Sequence, residues 1–293
     1  MKLKFCLKKE WLHFSRTFRL WGVIIAAFAV VIAYPLMYKF TGVVMEELAK
    51  QTGLSISIGE VDAGFLDGMN FGDMTAMFSD ASLMYTVAVS GMLSIAILVF
   101  MLVLSSASGG EQKKRAMIIP LCSGLSTKHY VLSKFILYPL VCFVDIFLSS
   151  MLCGALCNAL FPNNSITFSM LVLASTMAGV YAVFAICVYM SLGLCTSRPG
   201  VMAAVVYITI TIAQTVLQMV ESNYGQIMYN PFVLAEFVGG GMASPHFPLA
   251  DNIPNILISI AVSLAICVIM CLIAIAVLNA KKINNRREKK PEF

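Results

Sequence analysis

Charge is what this chain has least of. Only 12% of its 293 residues are Asp, Glu, Lys or Arg, while 59% are hydrophobic. A soluble domain carries about 25% charged residues, so the polar surface is too small to coat a water-borne globule of this length. Catalytic signatures are lacking as well. The chain holds no HExxH, GxSxG or GxxxxGK[ST] pattern, so it shows no zinc-protease helix, no nucleophile elbow and no phosphate loop of its own. Its three histidines, His13, His129 and His246, stand alone in sequence. Glu46 and Glu47 form an acid pair with no His partner, four residues from Lys50, which fits a solvated helix face.

The nine cysteines add another absence: none lies in the two long segments expected outside, so no disulfide framework is implied. Cys153/Cys157 and Cys267/Cys271 have helical i, i+4 spacing. Without an accompanying His they read as small packing residues rather than metal ligands.

What the chain does have is apolar length. Six runs are long enough to cross a bilayer, about 21–38, 83–107, 135–160, 166–196, 200–220 and 253–280. A span needs roughly 20 apolar residues. Strands of that length would leave backbone groups unpaired in lipid, whereas helices satisfy their own. The expected fold is an all-α integral membrane bundle of six spans forming a single transmembrane domain. The first run has no small-x-small cleavage site after it and is expected to stay as an anchor.

Basic residues set the orientation. The first 19 residues carry six, the 108–134 segment five, the fourth-to-fifth connection Arg198, and the tail 281–293 another six. Those 18 of 20 fall on one side of a six-span chain, leaving only Lys39 and Lys50 opposite. The positive-inside rule places both termini in the cytoplasm. The net charge of +5 is thus a topology signal and gives no reason to invoke nucleic acid. The outward 39–82 segment carries seven acids, including Asp80, and short helices are expected at 43–50 and 71–78.

Residues 5–19 read as an amphipathic helix. Leu7, Trp11, Phe14 and Phe18 lie on one face, with Lys9, His13, Arg16 and Arg19 opposite. That is the pattern of a helix lying in the membrane interface; a plain positive flank is the alternative. In the second outward segment, 221–252, Asn230-Pro231 is a helix start and Gly239-Gly240-Gly241 a stop. The short helix between them either dips into the membrane and returns or is a surface loop. Asp145 is the single ionisable residue read inside a span. An intramembrane acid is a functional hypothesis by default. It binds a cation, relays protons, or is neutral and hydrogen-bonded to a neighbouring span. Met92, Phe100 and Met101 are read as packing, with a share available to line an apolar pathway.

One stretch stands out. Residues 108–134 read SGGEQKKRAMIIPLCSGLSTKHYVLSK and hold five of the twenty basic residues between two apolar runs. Glu111 opens a short helix where an acid suits the dipole. Lys113, Lys114 and Arg115 follow, Met117, Ile118 and Ile119 supply an apolar face, and Pro120 stops it. Ser123 and Gly124 turn the chain, and Ser126-Thr127 cap the next helix, which Lys134 carries into the membrane.

On Glu111, Ile119-Pro120, Ser123, Lys128 and Lys134 the chain resembles the permease subunits of type-2 ABC exporters. The family more often has an Arg directly after the Ser, where Gly124 stands here. The resemblance implies an N-terminal elbow helix, a coupling helix within 108–128, re-entrant structure in 221–252, and spans two and five toward a dimer axis. It further implies cytoplasmic ABC ATPase partners that bind ATP and Mg, since this chain holds no cofactor of its own, and a second permease half, same or related. The place is a bacterial cell membrane. The chain would be a transport subunit rather than an enzyme, moving an amphiphilic, lipid-like or peptide cargo. A six-span secondary transporter or channel using Asp145, and a non-transporting anchor or immunity protein, are the other classes.

Overall fold

A computed structural model describes residues 2–16, 19–52, 79–108, 126–196, 198–221, 230–244 and 247–287. Among them every regular element is helical: α1 Lys2–Arg16, α2 Arg19–Thr52, α3 Ala81–Ser108, α4 Thr127–Leu160, α5 Phe168–Cys195, α6 Pro199–Glu221, α7 Phe232–Gly239 and α8 Leu249–Arg287. Six of these, α2 to α6 and α8, are long and apolar enough to cross a membrane. Their sequences are apolar all round, which suits burial in protein on one side and hydrocarbon on the other.

α5 is the hub. Of its membrane-length stretch 72% is buried inside the protein, against 11% for α8 and 17% for α6. It packs on α3, α4, α6, α7 and α8. Close approach to α4 rests on Gly179, where a Cβ would sit 2.8 Å from the Phe143 ring. A buried polar layer ties three spans together: the Tyr85 hydroxyl of α3 lies 2.7 Å from Ser150 Oγ of α4 and 3.5 Å from Ser175 Oγ of α5. Met92, Phe100 and Met101 are fully buried and belong to this core rather than to an open pathway.

Two helices run past their apolar runs. α2 continues without a break to Thr52, so residues 43–50 extend the first span instead of forming a separate helix. The expected helix at 71–78 lies outside the described residues. α4 starts at Thr127, where Ser126 accepts from the His129 amide. Lys134 therefore lies inside a membrane-length helix and is fully buried. This corrects the reading of Asp145 as the lone ionisable group within a span.

α7 is built as its sequence dictates. Asn230 Oδ1 accepts from the Phe232 and Val233 amides at 2.9 and 3.2 Å, and Pro231 already has helical angles. Gly241 at φ +92° turns the chain out, a conformation favouring glycine. Val233, Leu234, Ala235 and Val238 are buried against α3, α5 and α8. The short helix is thus part of the bundle's packing.

Candidate functional site

Alternation of the six long helices gives the bundle a basic end, bearing α1 and the starts of α4 and α6, and an acidic end, bearing α7 and the start of α3. A buried ion pair lies at the basic end. α1 turns Cys6, Glu10 and Phe14 inward, with 4%, 3% and 1% of their surfaces exposed. These positions are four apart and share one helix face. Glu10 Oε2 lies 3.2 Å from Lys134 Nζ and accepts the Tyr138 hydroxyl at 3.0 Å. The ammonium also lies 4.9 Å from the Tyr130 ring centre and 5.7 Å from that of Tyr138. Phe14 meets Tyr138 edge to face at 5.3 Å. Burying an ion pair costs several kcal/mol per ion unless the partners are close and otherwise satisfied. Here a carboxylate with two donors and an ammonium between two aromatic faces meet that requirement.

The clasp joins residues 124 positions apart and holds α1 against the third and fourth turns of α4. The 109–125 segment feeds into α4 directly above it in sequence. The proposed coupling residues Glu111, Lys113, Lys114, Arg115, Met117, Ile118, Pro120 and Ser123 lie outside the described residues, as does Phe18.

The expected apolar face of α1 divides. Phe14 goes into the bundle and Leu7 packs partly against the core, while Trp11 stays 45% exposed. Lys9, His13 and Arg16 are exposed. Cys6 shares the inward face, and burial pushes its thiol upward. Sequence reasoning missed Glu10. It is the sole acid of a helix otherwise rich in lysine, placed on the phase of Phe14, and that mismatch was the available signal.

At mid-bundle, Asp145 is 5% exposed. Its Oδ2 has no hydrogen-bond partner among the described residues, so the neutral, hydrogen-bonded arrangement expected from a neighbouring span is not made at this atom. The nearby hydroxyl of Ser149 donates to the Asp145 backbone carbonyl instead.

Between α3, α5 and α6 lies a cavity of about 60 Å³ whose polar lining is Ser90, Ser94, Tyr181, Tyr207, Thr211 and Gln214. Its lining carries no charge. Tyr181 donates to Gln214 Oε1 at 3.2 Å. At the acidic end Asp80 forms a second fastening. Its Oδ1 accepts from the Ser82 amide and hydroxyl, both at 2.8 Å, and from the Leu83 amide at 3.1 Å. Oδ2 accepts from Asn164 at 2.6 Å. The Asn163 amide donates to the Ser79 carbonyl, and the Ala81 amide to the Asn163 carbonyl. The start of α3 is thereby pinned to the α4–α5 turn.

No group of three or more His, Cys, Asp or Glu side chains suited to a metal occurs among the described residues. The structure defines an all-helical, multi-pass membrane protein whose N-terminal helix is clasped to its third span. No family model matches the chain, and no curated protein or solved structure matches it either.

Proposed function

We propose that the chain is the membrane-spanning permease half of an ATP-driven exporter, moved by a separate cytoplasmic ABC ATPase. The observation that carries this reading is the Glu10–Lys134–Tyr138 clasp. It ties α1 to the third and fourth turns of α4, the helix that follows residues 109–125 in sequence, so a push on that segment would reach α1 and α4 as one body rather than bend a free helix. Residues 111–123 are the contact for the ATPase, which supplies the ATP and Mg sites; this chain performs no hydrolysis. A second permease half, same or related, completes the pathway. The little-buried α6 and α8 leave apolar surface for that half and for lipid. The cargo we propose is amphiphilic, lipid-like or a peptide: the α3–α5–α6 cavity offers a small ion no charged side chain, and at about 60 Å³ it holds only water-sized groups, so such a cargo would pass between the two halves. The basic end is cytoplasmic, with both termini there, in a bacterial cell membrane.

The test is co-purification. Mild detergent extraction should bring down a soluble ATPase in stoichiometric amount, and Glu111→Ala or Met117→Asp should release it while the chain stays folded. Extraction that yields a stable chain and no ATPase overturns the reading.

A second reading rests on a different observation, the unpartnered Asp145 Oδ2. A carboxyl buried without a partner at mid-depth is the kind of group that carries a proton or cation in a secondary transporter or channel. Asp145→Asn separates the two: transport abolished with ATPase binding intact favours ion coupling, and transport unchanged excludes it. A non-transporting anchor or immunity protein would show neither an ATPase nor any transport.

A further inference from the structure

The outward face of α1 supports an inference that does not rest on the transport reading. Phe5 and Leu12 are 69% and 40% exposed. They are seven residues apart, so at 3.6 residues per turn they stack into one ridge, nearly opposite the inward-facing Glu10. Lys4 and Lys8 flank the ridge on one side, and Lys9 and Arg16 on the other; all four are exposed. Glu10 is the only acid in α1, and it is turned inward against Lys134. No carboxylate of this helix therefore offsets the cations on its outer surface. The clasp strips the exposed face of negative charge as it fixes the helix.

We propose that this face docks on anionic phospholipid headgroups of the leaflet at the basic end. The ridge enters the boundary with the acyl chains. The lysine and arginine stems reach outward from both flanks, bringing their charges to phosphate level. A neutral headgroup would satisfy the ridge and leave four cations without counter-charge; an anionic one satisfies both. An acidic protein segment would match the cations but not the outermost Phe5 and Leu12. Because the inner face of α1 is locked to α4, lipid held by the outer face orders the start of the third span as well as α1.

The full chain in phosphatidylcholine nanodiscs, with increasing phosphatidylglycerol, provides the test, read as hydrogen exchange over residues 2–16. Protection of α1 should rise severalfold with phosphatidylglycerol. In K4Q/K8Q/K9Q/R16Q that increment should vanish, over α1 and the start of α4 alike, while protection of α5 stays, and F5S/L12S should lower protection in both lipids. A check that needs no variant is salt. Raising sodium chloride to about 0.5 M shortens the screening length to a few ångströms and should remove most of the increment. Equal protection in both lipids overturns the proposal. An increment that resists both salt and the fourfold substitution does so too, as does protection that appears only on adding an acidic protein segment. Neither readout involves an ATPase, so the exporter reading can fail while this one stands.

Discussion

The two ends of the bundle are fastened by different chemistry. At the basic end a full ion pair, Lys134 with Glu10, is sealed from water and framed by aromatic rings. At the acidic end a half-buried carboxylate, Asp80, gathers four neutral donors from α3 and the α4–α5 turn. The first joins elements 124 residues apart and depends on both charges. The second spreads one charge over many dipoles and tolerates the loss of any single donor. Between them lies Asp145, a buried carboxyl with an unpartnered oxygen. The comparison ranks the three by what their removal leaves behind: a stranded charge, a relieved oxygen, or a few unpaired amides.

The largest effect is expected at the clasp. Lys134→Met leaves Glu10 buried without its counter-ion, a loss of roughly 3–5 kcal/mol, read as a fall in the thermal midpoint in detergent. Glu10→Met should cost a similar amount. The double variant E10M/K134M should recover most of it, because two apolar side chains replace two charges. If the double variant is as unstable as the singles, the pair is not the source of the stability, and the contrast with the acidic end collapses.

Asp145 should respond in the opposite direction. Its unpartnered oxygen forfeits about 1–3 kcal/mol of desolvation, so Asp145→Leu should raise the thermal midpoint. A stabilised variant that no longer transports would mark Asp145 as a working group kept at a cost in stability. A destabilised variant would mean that the carboxyl has a structural partner after all.

The sequence displays these features unequally, for physical reasons. Six spans are legible because hydrocarbon thickness sets a length that the apolar runs meet. Helix ends are less so, because an apolar count stops where charge begins, while a helix continues until a stop signal. α2 runs through Lys39, Glu46 and Glu47 to Thr52, just before Gly53. α4 begins at the Ser126 cap, ahead of its apolar run. The ends of α7 are legible because Asn, Pro and Gly act locally. The clasp is not, since its partners meet only through the tertiary fold. Lys134 reads only as the lysine that carries the helix into the membrane until α1 is seen to bring Glu10 to it. On α1 a periodic stripe of Leu7, Trp11, Phe14 and Phe18 suggests one apolar face, yet the bundle takes the Cys6–Glu10–Phe14 phase and leaves Trp11 outside. Amphipathic counting scores apolar faces alone, so it passes over a face that carries a carboxylate between Cys6 and Phe14.

The smallest effect is expected at Asp80, and it carries a pH signature. Burial alone would raise the Asp80 carboxyl, but hydrogen bonds from Asn164, the Leu83 amide and Ser82 outweigh it and hold the group below its ordinary value of 3.8. A carboxyl depressed in the folded state stabilises the protein fully above its unfolded value. That contribution is lost as pH falls from there through the folded value. Asp80→Ala should cost about 1 kcal/mol at neutral pH, the usual worth of a helix cap. Asp80→Asn should keep part of the cap while removing the titration. The stability gap between wild type and Asp80→Asn should therefore be constant at neutral pH and close as pH drops below about 4. Thermal melts of the two proteins across that range measure it directly. A gap that persists at acid pH would show that the carboxylate charge contributes nothing, and that shape and hydrogen bonding alone pin α3 to the α4–α5 turn.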